Sequence, residues 1–191
     1  AFSILAGGLS TRMGRDKARL RLGRHSLLGL VRASARKTGW PVRVIRRDLV
    51  ARCGPLGGVY TALKTSRADA ELFLACDMPF VSVGLLARLL SGLGPRRDAV
   101  FSAFDGSASF PFLVRVRALA IVEKQIRRKR FSVQSLARAL RAKLIRLPRR
   151  DQAELFNINT PGDWKSARKL LRKHIQTARK RVLTADGCGS G

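Results

Sequence analysis

The sequence predicts an α/β fold of three layers, with helices on both faces of a mainly parallel sheet. Three observations carry this expectation. Short apolar runs at 2–5, 42–45 and 72–76 suit buried strands. Segments at 26–37, 81–90 and 118–127 are long enough for helices; in the first, Leu27, Leu30, Val31 and Ala35 fall on one face. The two kinds of segment alternate along the chain, as in successive βαβ units.

Length supports one domain with a full core: the chain has 191 residues. Residues 1–183 are expected to form it, with 184–191 a frayed tail. No run approaches the roughly 18 apolar residues of a membrane span, and no charged-then-apolar leader precedes the first strand. The chain starts without Met, which suggests a clipped or partial start, and a cytoplasmic location is expected. Cys53, Cys76 and Cys188 are odd in number and scattered. They make no metal spacing with His25 or His174 and fit idle thiols in a reducing compartment.

Charge is the unusual feature, with 39 basic residues against 12 acidic and a net charge of +27. Such a charge attracts polyanions, nucleic acid included, without specificity. The basic residues lie along several amphipathic segments and lack interleaved aromatics for base stacking. From Arg115 to Arg150 there are thirteen basic residues and one acid, Glu123. A solvated basic surface ranks first, steering of anionic ligands second and dedicated nucleic-acid binding third.

The strand Phe2 to Leu5 opens into Ala6-Gly7-Gly8-Leu9-Ser10-Thr11-Arg12-Met13-Gly14-Arg15-Asp16-Lys17. Small residues let backbone approach a ligand closely, and adjacent N–H groups in such a loop form a nest for phosphate oxygens. Arg12 offers a planar fork of donors and Lys17 a mobile point charge. Strand, glycine loop, arginine and lysine in this order point to a nucleoside triphosphate. Neither G-x-x-x-x-G-K-[ST] nor G-x-G-x-x-G is met, so the two better-known phosphate loops are excluded.

The remaining elements follow in order. Leu20 to Gly23 is a short extended piece; Ser26 caps a helix to about Lys37; Gly39 and Pro41 end it; Val42 to Ile45 is a strand. Cys53-Gly54-Pro55-Leu56-Gly57-Gly58 predicts a tight turn, with a helix behind it from Val59 to Lys64. Leu72 to Cys76 is the clearest buried strand and ends in Asp77-Met78-Pro79. An acid at the carboxyl end of a central parallel strand stands where open α/β sheets bind ligands. Strands are expected at 98–104, 110–116 and 143–147, with a turn at Asp105-Gly106, and helices at 118–127 and 132–142. Phe156-Asn157-Ile158-Asn159-Thr160-Pro161-Gly162-Asp163 precedes a last helix. Thr160 as cap, Pro161 at the first position and Asp163 near the positive end explain three of these residues. Capping leaves Asn157 and Asn159, two residues apart, unexplained.

The first loop resembles the L-A-G-G-x-S-x-R-M-G-x-D-K signature of molybdenum cofactor guanylyltransferases, members of the nucleotidyltransferases with a Rossmann-like fold. Cys53 to Gly58 resembles the family's G-P-L-[AG]-G element, and Phe156 to Asp163 its N-x-N-T-P-x-D element. The resemblance covers residues 1 to about 170. It implies transfer of GMP from GTP to molybdopterin bearing molybdenum, with release of pyrophosphate. It implies nucleotide contacts from Leu5, Ala6, Gly7, Gly8, Lys17, Asp48, Pro55, Leu56 and Asp77, and catalytic roles for Arg12, Lys17 and Asp77. Asp77 would hold Mg²⁺. It divides the domain into a nucleotide-binding half, 1–80, and an acceptor-binding half, 98–180, where Asn157 and Asn159 are candidates for the acceptor. Two other readings stay open: a CTP-dependent or different-acceptor nucleotidyltransferase, and a non-catalytic polyanion-binding protein on a decayed scaffold.

Overall fold

The structure, a computed structural model, describes residues 1–7 and 20–172. Gly8, Arg12 and Lys17 lie outside the described residues, as do 173–191 with the expected tail. Six strands form the main sheet: β1 (Phe2–Leu5), β4 (Val42–Ile45), β5 (Ala70–Ala75), β6 (Ala99–Phe104), β7 (Ser107–Arg115) and β8 (Lys143–Arg146). A small hairpin of β2 (Arg21–Leu22) and β3 (His25–Ser26) stands apart. The strand order is β4-β1-β5-β7-β6-β8. β4, β1 and β5 run parallel, as do β6 and β8, and β7 runs against both its neighbours. Five strands therefore end at one edge of the sheet. The expected mainly parallel α/β sheet is what the chain forms.

Alternation within the strands sorts side chains between two cores. Phe2, Ile4, Leu72, Leu74, Val100 and Leu113 face α1 (Leu27–Arg36) and α3 (Val83–Gly92). Phe73, Phe101, Phe112 and Val114 face α2 (Pro55–Lys64), α4 (Leu119–Arg127) and α5 (Val133–Ala139). On that second face the Phe112 ring stacks on Phe101, with centroids 4.4 Å apart, and lies 5.1 Å from Phe73. One row of aromatics thus ties the antiparallel strand to both neighbours. Capping follows the sequence closely: Ser26, Ser82 and Ser132 each accept a backbone N–H three residues on.

At the opposite end of the sheet from the strand termini lies a buried polar cluster. Glu71, 1% exposed, accepts from Ser3 Oγ at 2.9 Å, from Ser66 Oγ at 2.6 Å and from Arg43 Nη2 at 2.8 Å. Arg43 also donates to Ser3 Oγ, to Thr65 and to the Ala62 carbonyl. The cluster joins β4, β1, β5 and the end of α2, with the carboxylate fully served.

Three boundaries differ by three or more residues from the sequence reading. α2 begins at Pro55, not Val59, so Leu56, Gly57 and Gly58 are helical. β7 begins at Ser107 rather than 110. α5 stops at Ala139, because Arg141 takes a left-handed φ of 46° and Ala142 N–H closes back on the Ala137 carbonyl. Among the described residues no helix is long and apolar enough to cross a membrane.

Candidate active site

Strand ends bring the site together. Ala6 N–H donates to the Ile45 carbonyl at 2.9 Å, and Cys76 N–H donates to the Leu5 carbonyl at 3.2 Å. The start of the glycine loop is thereby tied between the ends of β4 and β5. At Gly7 a Cβ would stand 2.9 Å from the Arg46 carbonyl oxygen, so a side chain is sterically excluded where the loop crosses the residue after β4.

Asp48 sits two residues further on, among three glycines. Its Oδ2 lies 2.6 Å from where a Cβ of Gly57 would be. Its Oδ1 lies 3.5 Å from that of Gly58 and 3.7 Å from that of Gly7. The backbone beside it is latched: Leu49 N–H donates to Thr61 Oγ1 at 2.8 Å, and Thr61 Oγ1 donates to the Gly57 carbonyl at 2.8 Å. Among the described residues the Asp48 carboxylate has neither a cationic partner nor a hydrogen-bond donor. Asp48 is exposed overall, and partial desolvation of its carboxyl raises its pKa above the ordinary carboxylate value. The neighbouring arginines Arg46, Arg47 and Arg52 are exposed and do not pair with it. The backbone beside this carboxylate is fixed while its acceptor oxygens stay open to a ligand with N–H or O–H donors.

The glycine–proline segment works differently from a plain turn. Gly54, at a φ of 53°, precedes Pro55 at the first helical position, where a missing N–H costs nothing. Leu56 is fully buried in the core, and its N–H reaches back to the Cys53 carbonyl. Leu56 therefore anchors the helix start, while Pro55 is half-buried and faces the rim. Sequence reasoning missed Thr61, whose latch partner Leu49 lies twelve residues away, beyond any local pattern.

Asp77 follows β5 at the same edge and is half-buried. Ser82 caps α3, so capping does not account for Asp77. The Ile158 N–H donates to the Asp77 carbonyl at 3.0 Å. Ile158 is fully buried against Leu22, Leu27 and Ala167, and the half-buried Asn157 and Asn159 flank it. The structure thus brings both asparagines next to Asp77. Thr160 and Asp163 cap the final helix reciprocally: Asp163 Oδ2 accepts from Thr160 N–H at 2.8 Å and Asp163 N–H donates to Thr160 Oγ1 at 3.1 Å. Among the described residues no cluster of three or more His, Cys, Asp or Glu gathers around a metal position. The Asp77 carboxylate, with the backbone of the Asn157–Asn159 segment bonded to its carbonyl, is a hard but incomplete donor set. It fits Mg²⁺, which completes its shell with phosphate oxygens and water.

Comparison with known proteins supports the class. The fold is shared with the molybdopterin-guanine dinucleotide biosynthesis protein A of Archaeoglobus fulgidus, at a TM-score of 0.70 and 22% identity over 90% of this chain and 98% of that one. It is shared too with the 2-C-methyl-D-erythritol 4-phosphate cytidylyltransferase of Thermus thermophilus, at a TM-score of 0.65 and 20% identity over 89% and 98%. A probable molybdenum cofactor guanylyltransferase of Opitutus terrae is 33% identical over 91% of this chain and 96% of its own length. Fold and relatives make the protein a nucleotidyltransferase. The MobA-like NTP transferase domain matches residues 2–48 and 31–147, and the chain belongs to that family.

Proposed function

We propose that the protein transfers GMP from GTP to the terminal phosphate of molybdopterin bearing molybdenum. The observation that carries this reading is the Asp48 carboxylate among Gly7, Gly57 and Gly58, without a partner among the described residues. Guanine presents two adjacent donors, N1–H and the N2 amino group, which a carboxylate accepts together. Cytosine and adenine set a ring-nitrogen acceptor beside their amino group, which a carboxylate repels. A site built to hydrogen-bond one edge discriminates strongly against the wrong one.

In the reaction an acceptor phosphate oxygen attacks the α-phosphorus in line. The bond from that phosphorus to the bridging oxygen breaks, and pyrophosphate leaves. The attacking oxygen is already anionic, so no general base is needed, and positioning with charge neutralisation supplies the catalysis. Gly7 and Gly8 cradle phosphates, and Arg12 and Lys17 neutralise the α-phosphate and the leaving group. Asp77 would hold Mg²⁺, with Asn157 or Asn159 as further candidates for its shell. The ion, when bound, screens the repulsion between the two anions. The Ile158 N–H bonded to the Asp77 carbonyl fixes the backbone from which the carboxylate projects.

The test is pyrophosphate release with Mg²⁺, molybdopterin and GTP, CTP or ATP in turn, omitting each component singly. Release with GTP that requires the acceptor is expected. Equal release with CTP removes the guanine assignment, and acceptor-independent release removes the acceptor.

A further inference from the structure

The outer face of α4, α5 and β8 holds none of the residues assigned above to the nucleotide. The run Arg127–Arg130 is exposed throughout, and Arg138, Arg141 and Lys143 continue the same face. None of these seven forms an ion pair among the described residues. Both helices close with a basic residue in the left-handed conformation, Lys129 at 55° and Arg141 at 46°. Each closure is pinned by a backbone bond, Arg130 N–H to the Gln125 carbonyl and Ala142 N–H to the Ala137 carbonyl, both 3.0 Å.

A groove of about 190 Å³ opens in this face between α5 and the β6–β7 hairpin. Its floor is apolar, with Ala108, Ala137 and the exposed Leu144, and Arg138 and Arg141 stand at its rim. No carboxylate lines it. An apolar notch ringed by unpaired cations calls for an occupant with an apolar knob between negative charges.

Four occupants can be weighed. A second copy would bring +27 against +27. Residues 173–191 of the same chain carry four Lys or Arg against one Asp, so they are repelled too. Nucleic acid uses phosphate contacts and stacking, yet the only aromatic between 119 and 147 is the half-buried Phe131, and a phosphate backbone has no use for the notch. An acidic protein segment bearing an apolar side chain satisfies both features. We propose that this face docks such a segment, with the apolar side chain in the groove and carboxylates on Arg138, Arg141 and Lys143.

The probe is a fluorescein-labelled peptide with a single leucine flanked by glutamates, titrated by anisotropy at about 150 mM salt, where distant charges are screened. Arg138→Gln with Arg141→Gln is expected to weaken binding about tenfold. Arg32→Gln with Arg36→Gln removes the same charge from exposed positions on α1, in the other helical layer, and is expected to change it less than about twofold. Replacing the peptide leucine with serine, or Leu144 with serine, is expected to weaken binding several-fold. Equal losses from the two arginine pairs overturn the proposal. So does tighter binding of duplex DNA of matched charge, indifference to the leucine, or no binding of the peptide by the unaltered protein.

Discussion

Gly57→Ala separates the stability of the α2 start from its use as a ligand site. Two opposing effects act on stability. Alanine in a helix is favoured over glycine by about 1 kcal/mol. Against this, the new Cβ would lie 2.6 Å from Asp48 Oδ2 and 3.0 Å from the Val50 carbonyl oxygen. The carboxylate can swing away, but the carbonyl is backbone, so the loop carrying Asp48 must shift. Overpacking of this kind costs roughly 1–3 kcal/mol, which leaves a net loss of about 0–2 kcal/mol. Binding should suffer more, because the shift misdirects hydrogen bonds to a charged group that contribute about 1.5–3 kcal/mol. GTP affinity is therefore expected to fall about ten- to hundredfold. Urea unfolding and isothermal titration with GTP read the two quantities separately. Gly84→Ala is the control: its Cβ meets nothing closer than Ser82 Oγ at 3.6 Å, and it should stabilise by up to about 1 kcal/mol without touching affinity. Unchanged GTP affinity in Gly57→Ala would refute the placement of Asp48 in the site.

Three further outcomes follow from the same geometry. The folded-state pKa of Asp48 is raised, so its contribution favours folding at low pH and is lost as pH rises through that value. Asp48→Asn should thus be more stable than the parent at neutral pH, with the gap closing below about pH 4 and GTP discrimination lost; thermal melts across pH check this. Asp77→Asn should raise the Mg²⁺ concentration needed for half-maximal pyrophosphate release while leaving the Ile158 brace on the turn intact, since that bond is to the backbone carbonyl. Glu71→Ala strands the inward-facing Arg43 guanidinium and two serines, and should cost about 3–5 kcal/mol in urea unfolding with little change in GTP affinity.

Much of this architecture was legible because local and global signals agree. Phe2–Leu5 and Ala70–Ala75 are mostly apolar, as strands covered by helices must be, and serines stand at the caps of three helices. Direction was less legible: nothing in Phe110–Val116 says that β7 runs against its neighbours, since periodicity reports the type of element and not its sense. The α2 boundary was misread because glycine at 57 and 58 signals a turn, whereas here glycine makes room for a carboxylate beside a helix. The position of Asp77 at a strand end was readable. The isolation of Asp48 and the seating of Asn157 and Asn159 beside Asp77 depend on contacts distant in sequence.

The bond between Ile158 and Asp77 has a consequence for synthesis of the chain. A polypeptide leaving the ribosome carries β1, β4 and β5 well before residue 158 appears. The early portion can fold around its own core, yet the aspartate turn stays unbraced until the closing segment arrives. A prematurely terminated product lacking that segment would forfeit the bond that braces Asp77 while retaining Gly7, Asp48, Gly57 and Gly58.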